Sequence, residues 1–121
     1  MMERLEKNLM VLGKEISISL TRTDCGMETL IAGGDLSHIG AVSIADPRGQ
    51  ITTKVFEGHK DQFISEEWAK ALYETCQVPV VVSVGIHYDN LDATGIQQIM
   101  GEMKRVLREI LPDGVNGNPM E

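Results

Sequence analysis

The chain has 121 residues, 42% of them hydrophobic and 24% charged, which is typical of a single globular domain with an ordinary core. The formal charge of −7 argues against nucleic acid binding, because the only basic cluster, Lys104 to Arg108, is mixed with glutamates. No segment is long enough to span a membrane, and the charged N-terminus lacks a signal core. Two unpaired cysteines, Cys25 and Cys76, fit a reducing cytoplasm.

The first twenty residues are expected to form a short N-terminal segment, residues 1–12, and then a strand. Leu5, Leu9 and Leu12 have the spacing of a short amphipathic helix. From Ile16 to Thr21, apolar residues alternate with serine and threonine, which predicts a half-buried strand. Its small polar face meets either water, the preferred interpretation, or the sheet of a second subunit in a homodimer.

Three more strands are expected to follow, joined by tight turns. Residues 24–26 carry a turn signal, and Met27 to Ala32 predicts the second strand. Ala41 to Ala45 predicts the third. Asp46 to Gly49 has the residues of a type I turn, with proline second and glycine fourth. The fourth strand covers residues 51–56, so the four strands predict an antiparallel meander.

Helices are expected only after these strands. Ser65 is predicted to cap a first helix with Glu66 and Glu67 in its first turn, where negative charge suits the helix dipole. The β-branched run Val80 to Val84 is typical of a strand covered on both faces. A last helix is indicated by apolar residues that recur at three- and four-residue steps: Ile96, Ile99, Met100, Met103, Val106, Leu107, Ile110 and Leu111.

The element order is therefore β-β-β-β-α-β-α, which predicts an α+β fold with a mainly antiparallel sheet and helices packed on one face. The single domain is expected to span residues 13–111. Residues 112–121, rich in glycine and proline, are expected to form a flexible tail.

Two glycine–histidine segments mark the candidate site. Segment 33–40 reads GGDLSHIG and segment 85–90 reads GIHYDN. Each adjoins a predicted strand, where glycine permits positive φ or close approach and histidine supplies a titratable hydrogen-bonding group. The candidate ligand-binding residues are Gly33, Gly34, Asp35, Ser37, His38, Gly40, Gly85, His87, Asp89 and Asn90. We expect His38 and His87 to share one pocket, and Gly33 and Gly34 to present N–H groups to an anion.

Plainer explanations exist for each of these residues. The glycines serve an ordinary turn, and Asp89, Asn90 or Asp92 caps the last helix. His59 is by default an exposed loop residue and joins the site only if its loop folds over the sheet end. The three histidines are also candidate metal ligands, although none has a local ligand spacing.

Together the two segments resemble the LpdD-like family of prenylated flavin chaperones, from about Glu15 to Leu111. The resemblance implies an accessory protein that binds prenylated FMN, or FMN, and delivers it to a UbiD-type decarboxylase without being that enzyme. It implies a phosphate held near Gly33, Gly34, Ser37 and His38. The alternatives are a small metal-dependent enzyme using His38 and His87, and a protein–protein interaction module.

Overall fold

The computed structural model describes residues 2–111. Its elements in chain order are β1 (Glu3–Val11), β2 (Lys14–Arg22), β3 (Met27–Gly34), β4 (Leu36–Ala45), β5 (Ile51–Val55), α1 (Lys60–Cys76), β6 (Val80–His87) and α2 (Ala93–Ile110). The α+β class, with a mostly antiparallel sheet and the helices on one face, is confirmed. The order has one strand more than expected. The predicted flexible tail lies outside the described residues.

The strand order in the sheet is β1-β2-β3-β6-β4-β5. β6 pairs in parallel with β3 and antiparallel with β4. The predicted meander is therefore wrong in its middle, because β6 separates β3 from β4. The apolar run Val80 to Val84 suits a central strand, but the predicted cover on both faces is wrong within residues 2–111. Val80, Val82 and Val84 are buried under the helices, whereas Val81 and Ser83 on the other face are only half-buried.

The N-terminal helix prediction is also wrong, because residues 3–11 form an edge strand paired along its length with β2. Leu5 and Leu9 are four positions apart, a spacing that fits both a helical period and the alternation of a strand. Leu12, which completed the helical pattern, lies instead in a two-residue turn with Gly13, both with positive φ. The backbone pairing with β2 decides between the two structures.

Helix α1 begins five residues before the predicted cap. Its N-cap position is His59, which makes no side-chain capping bond. Ser65 is fully buried inside the helix, where its hydroxyl lies 2.7 Å from that of Ser43 on β4. Ser65 therefore connects α1 to the sheet by a side-chain hydrogen bond and does not cap the helix. The local sequence contains no pattern that indicates this buried contact.

Both helices contribute to the core between themselves and the sheet. α1 buries Ile64, Trp68, Ala69 and Leu72, and α2 buries Ile99, Met103, Val106 and Leu107. The predicted periodicity of the last helix is confirmed, and Asp92 caps it by accepting a bond from Gly95 N–H at 2.7 Å.

The turn at Asp46 closes with a Gly49 N–H to Asp46 O bond of 2.8 Å. Within residues 2–111, neither helix combines the length and hydrophobicity needed to cross a membrane.

Candidate functional site at the glycine–histidine end of the sheet

The chain passes from β3 to β4 across the end of β6 in one residue. Gly34 and Leu36 both pair with His87, from its two sides, and Asp35 makes the crossing. Gly34 has φ +89°, and a Cβ there would overlap the carbonyl oxygen of His87 and press on the ring of Tyr88. Glycine is therefore required, both by its backbone conformation and by the close approach.

A bulge in β4 brings the first histidine over β6. Pairing between β4 and β6 shifts between Ser37 and Ala41, and a Cβ on Gly85 would overlap the backbone carbonyl of His38. The bulge backbone therefore rests directly on Gly85. A β-bulge re-aims the side chains that follow it, and bulges are frequent beside functional sites. This one turns His38 toward His87 and toward the start of α1.

We call the cavity beside this bulge the histidine pocket, with a volume of about 220 Å³. It is lined by His38, Glu57, Gly58, His59, Lys60, Asp61, Ile86 and His87. The His38 and His87 rings lie 6.3 Å apart between centroids, edge to face. The prediction that these two histidines share a pocket is confirmed. The loop between β5 and α1 folds over the sheet end, so all three histidines line the same cavity.

A buried carboxylate forms the floor of the histidine pocket. Asp61 is 3% exposed. One of its oxygens accepts bonds from Lys60 Nζ at 2.9 Å and from Ile86 N–H at 3.3 Å, and the other lies 3.6 Å from His38 Nε2. Lys60 also donates to the carbonyl of Ile86. A buried charge with this set of partners is compensated, and it fixes the start of α1 against the end of β6.

His38 is held between two carboxylates without a hydrogen bond of its own. Its Nε2 is 3.6 Å from both Glu57 and Asp61. Its Nδ1 is buried and has no hydrogen-bond partner among the described residues. Buried polar atoms are nearly always satisfied, by protein, water or ligand. The imidazole therefore makes no hydrogen bond within residues 2–111: Nδ1 is buried, and Nε2 lies beyond hydrogen-bond distance of both carboxylates.

Asp35 connects three elements at the crossing. Its carboxylate accepts a bond from Asp89 N–H at 2.8 Å and pairs with Lys14 at 3.3 Å. The Asp89 N–H, and then the charge of Lys14, hold the pKa of Asp35 below its usual range. Asp89 in turn lies 3.1 Å from Nε2 of His87. Asp35 and Asp89 thus fix the loop that follows the second histidine.

A second depression, the glycine groove, opens on the sheet face opposite the helices. Its volume is about 450 Å³, and Glu15, Ser17, Ala32, Gly33, Gly34, Asp35 and Ser37 line it. The predicted nest of free N–H groups is wrong. Gly33 and Gly34 belong to a strand, and Gly33 pairs with β2 on one side and with β6 on the other. The next N–H group, of Asp35, donates to His87 O at 2.7 Å. Ser37 and His38 separate the groove from the histidine pocket.

The predicted residues therefore fall into four groups. His38 and His87 line the histidine pocket; Gly33, Gly34, Asp35 and Ser37 line the glycine groove. Asp89 and Asn90 lie with Asp35 around a third cavity of about 380 Å³ near the start of α2. Gly40 and Gly85 are backbone supports, because a Cβ on Gly40 would press on Asp61 and one on Gly85 would press on His38.

Sequence reasoning missed Glu57, Lys60 and Asp61. An acidic residue beside a lysine near the start of a helix has the local pattern of a solvated first turn. Only the tertiary structure places Asp61 under the bulge. Across residues 2–111, no group of three or more His, Cys, Asp or Glu side chains is arranged to hold a metal ion. The metal-dependent alternative has no support from this geometry.

The family model for the prenylated flavin chaperone LpdD-like domain matches residues 11–113. The chain belongs to this family. Its glycine–histidine segments, both histidine-pocket strands and both helices lie within the matched range. Among curated proteins, none matches the sequence significantly.

The fold itself has a counterpart among solved structures. A structure titled as a novel chaperone complex for yeast 20S proteasome assembly aligns with a TM-score of 0.64, covering 90% of this chain and 94% of that one. The two sequences are 10% identical, so the likeness extends to the fold alone. It shows that one arrangement of strands and helices supports very different sequences.

Proposed function

We propose that this protein binds prenylated FMN at the glycine–histidine end of its sheet and delivers it to a UbiD-type decarboxylase. Membership of the prenylated flavin chaperone family supports the flavin. The observation that carries the site is the convergence of His38 and His87 on one cavity, which adjoins the glycine groove.

The dimensions of the two depressions fit an elongated ligand. Small-molecule sites usually measure about 300–1,000 Å³. The histidine pocket alone, at about 220 Å³, is too small, whereas the glycine groove has about 450 Å³. The two adjoin at Ser37 and His38. A phosphate bound at this border would meet a hydroxyl and an imidazole, and the edge of a flavin ring would meet His87, whose Nε2 lies 3.1 Å from Asp89.

The chemistry of the flavin would come from the flavin itself, and this chain would supply binding and orientation. His38, His87 and Ser37 would donate or accept hydrogen bonds. Gly33 and Gly34 would line the wall of the groove with backbone, because neighbouring backbone fills the positions that their side chains would occupy. We infer that the protein is an accessory factor that works in the cytoplasm and is not the decarboxylase.

Anaerobic titration with prenylated FMN, and separately with FMN, tests this function by flavin fluorescence. We expect His38→Ala to weaken binding at least tenfold, which is about 1.4 kcal/mol, because a hydrogen bond to the ligand is lost. Gly34→Val should abolish binding, although it also strains the fold. Lys70→Ala is the control, since Lys70 is exposed on α1. Its affinity and melting temperature should equal those of the wild type.

Delivery is tested with the partner. Each variant is mixed with flavin and an apo-decarboxylase of the UbiD type, and decarboxylation is followed. Activation by the wild type but not by His38→Ala supports delivery from this site. If neither flavin binds to the wild-type protein, the interaction-module alternative is preferred, and the glycine–histidine segments are structural only.

A further inference from the structure

The face of the sheet opposite the two helices is not covered by any part of residues 2–111. Core side chains alternate along each central strand with side chains on this open face. Leu30 and Ile44 stand on it, 43% and 45% exposed. Val42 and Val81 lie half-buried beside them. These four side chains form an apolar patch at the centre of the sheet, with the exposed Glu28 of β3 at its border. An exposed apolar patch on a sheet is a candidate interaction surface.

The pairing register shows how this face is organised across the sheet. One row runs through all six strands, from edge to edge: Glu6, Ser19, Leu30, Ser83, Val42 and Lys54. Its centre is apolar or small, and its two ends carry opposite charges. Neither Glu6 nor Lys54 has an ion pair among the described residues. Consider two copies packed face to face about a two-fold axis that runs parallel to the strands. This axis places Glu6 of one copy opposite Lys54 of the other, so the row is complementary to itself.

The shape of the face agrees with the same axis. The glycine groove lies on β2 and β3, and the β4 bulge stands over Gly85 on β6. Ala32 of the groove pairs with Gly85, so groove and bulge lie at the same height on opposite sides of the midline. A two-fold rotation places the bulge of one copy, with its exposed Ile39, opposite the groove of the other.

The open face is also large enough. Six strands spaced by about 4.8 Å make it about 29 Å wide, and the eight-residue central strands make it about 26 Å long. That is roughly 750 Å², close to the ~800 Å² that each partner buries in a typical stable interface. Aligned packing of two sheets face to face is a common solution for such surfaces.

We propose that a second copy of this chain packs on the open face about that two-fold axis, and that the β4 bulge of each copy roofs the glycine groove of the other. The interface stands on the face alone, whereas the roofed groove as a flavin site rests on the proposed function. The ligand site is then complete only in the dimer, because each groove is open in a single chain.

The interface is tested first without flavin, by sedimentation equilibrium of the full chain at ~50 μM. We expect twice the chain mass of 13.3 kDa. Leu30→Asp and Ile44→Asp should weaken the dimer about a hundredfold, because each buries an unpaired carboxylate in each copy. Phe63→Asp is the matched control, since Phe63 is 59% exposed on α1, away from the face. A monomeric wild type, or dimers unaffected by both interface variants, would overturn the interface.

The axis is tested by exchanging the charges. Lys54→Glu and Glu6→Lys should each weaken the dimer, since each places like charges opposite one another. An equimolar mixture of the two variants should restore the wild-type affinity as a heterodimer. A mixture no tighter than the separate variants would contradict this axis.

The roofed groove is tested by titrating Leu30→Asp with prenylated FMN under conditions where it is monomeric. We expect binding at least tenfold weaker than in the wild type. Wild-type affinity in the monomeric variant would overturn the shared site and leave the interface standing. A dimeric wild type that binds no flavin would instead overturn the proposed function, and with it the roofed groove as a flavin site, but not the interface.

Discussion

Gly85 shows how a single residue controls the geometry of the site. The backbone of the β4 bulge lies so close to its Cα that no side chain fits, and this contact carries His38 over β6. Gly101, on the exposed side of α2, has open space around the position of a Cβ. Adding a side chain should therefore affect stability in opposite ways at the two positions, because a Cβ would overlap backbone at Gly85 and enter solvent at Gly101.

We predict that Gly85→Ala destabilises the protein by about 1–3 kcal/mol, since the bulge backbone must move. Gly101→Ala should stabilise it by about 0.8–1 kcal/mol, because alanine is the better helix former and nothing opposes it. Urea denaturation measures both changes. Equal stability of Gly85→Ala and the wild type would contradict the close contact between the bulge and β6.

Asp61 is the other residue whose environment decides its role. We predict that Asp61→Ala costs about 2–3 kcal/mol, because Ile86 N–H and Lys60 lose their shared acceptor in a buried position. Asp61→Asn is the comparison, since it retains an acceptor oxygen and should cost less. The free energy of unfolding in urea is the measurement. A cost of Asp61→Ala below about 0.5 kcal/mol, the range of ordinary surface changes, would rule out this anchoring role.

At the scale of elements, the two helices differ in how visible they are in the sequence. α2 repeats its apolar residues with helical period and has an Asp92 cap, so its position is readable locally. α1 starts at His59 without a side-chain cap and carries polar residues such as Ser65 into the core. Its Ser65–Ser43 contact satisfies a buried hydroxyl pair, a requirement that exists only once the helix has packed on β4.

We predict that Met103→Asp destabilises the protein by about 3–5 kcal/mol, because Met103 is 1% exposed in the core between α2 and the sheet. Gln97→Asp is the control, because Gln97 is exposed on the same helix, and it should change stability by less than about 0.5 kcal/mol. Thermal and urea unfolding measure both. A melting temperature unchanged by Met103→Asp would contradict the burial of this face of α2.

At the scale of the whole molecule, Asp35 at the crossing from β3 to β4 connects segments that are far apart in the sequence. Lys14 on β2, Asp35 between β3 and β4, and Asp89 before α2 come together there. These contacts depend on the ionised carboxylate. Because the pKa of Asp35 is lowered in the folded state, its contribution to stability is present above its ordinary value near 3.8 and is lost as the pH falls through the folded value.

We predict that the wild type loses more unfolding free energy between about pH 5 and pH 2 than Asp35→Asn does, since only the wild type has this carboxylate to protonate. Urea denaturation at a series of pH values measures the difference between the two profiles. At pH 7, Asp35→Asn should be the less stable of the two. Parallel profiles for the two proteins would show that the ionised Asp35 contributes nothing to the crossing.

The sequence by itself determined what depends on local patterns. Helical periodicity located α2, residue types located the turn at Asp46, and the β-branched run of Val80 to Val84 identified a buried strand. The glycine–histidine segments also identified the two histidines that share the pocket. Hydrophobic periodicity, turn-forming residues and the ends of strands are properties of residues adjacent in the sequence. They can therefore be recognised without knowing which segments pack together.

Only the tertiary structure decided which strands pair and which side chains meet. The place of β6 between β3 and β4 depends on hydrogen bonds between residues 35 to 53 positions apart, and no local pattern encodes it. Leu5 and Leu9 fitted a helix and a strand equally well until β2 provided a partner. The local sequence around Asp61 is that of a solvated helix start, and only the packing of the bulge against it makes this residue buried. Pairing and burial are collective choices, because each contact is favourable only when the elements around it are already in place.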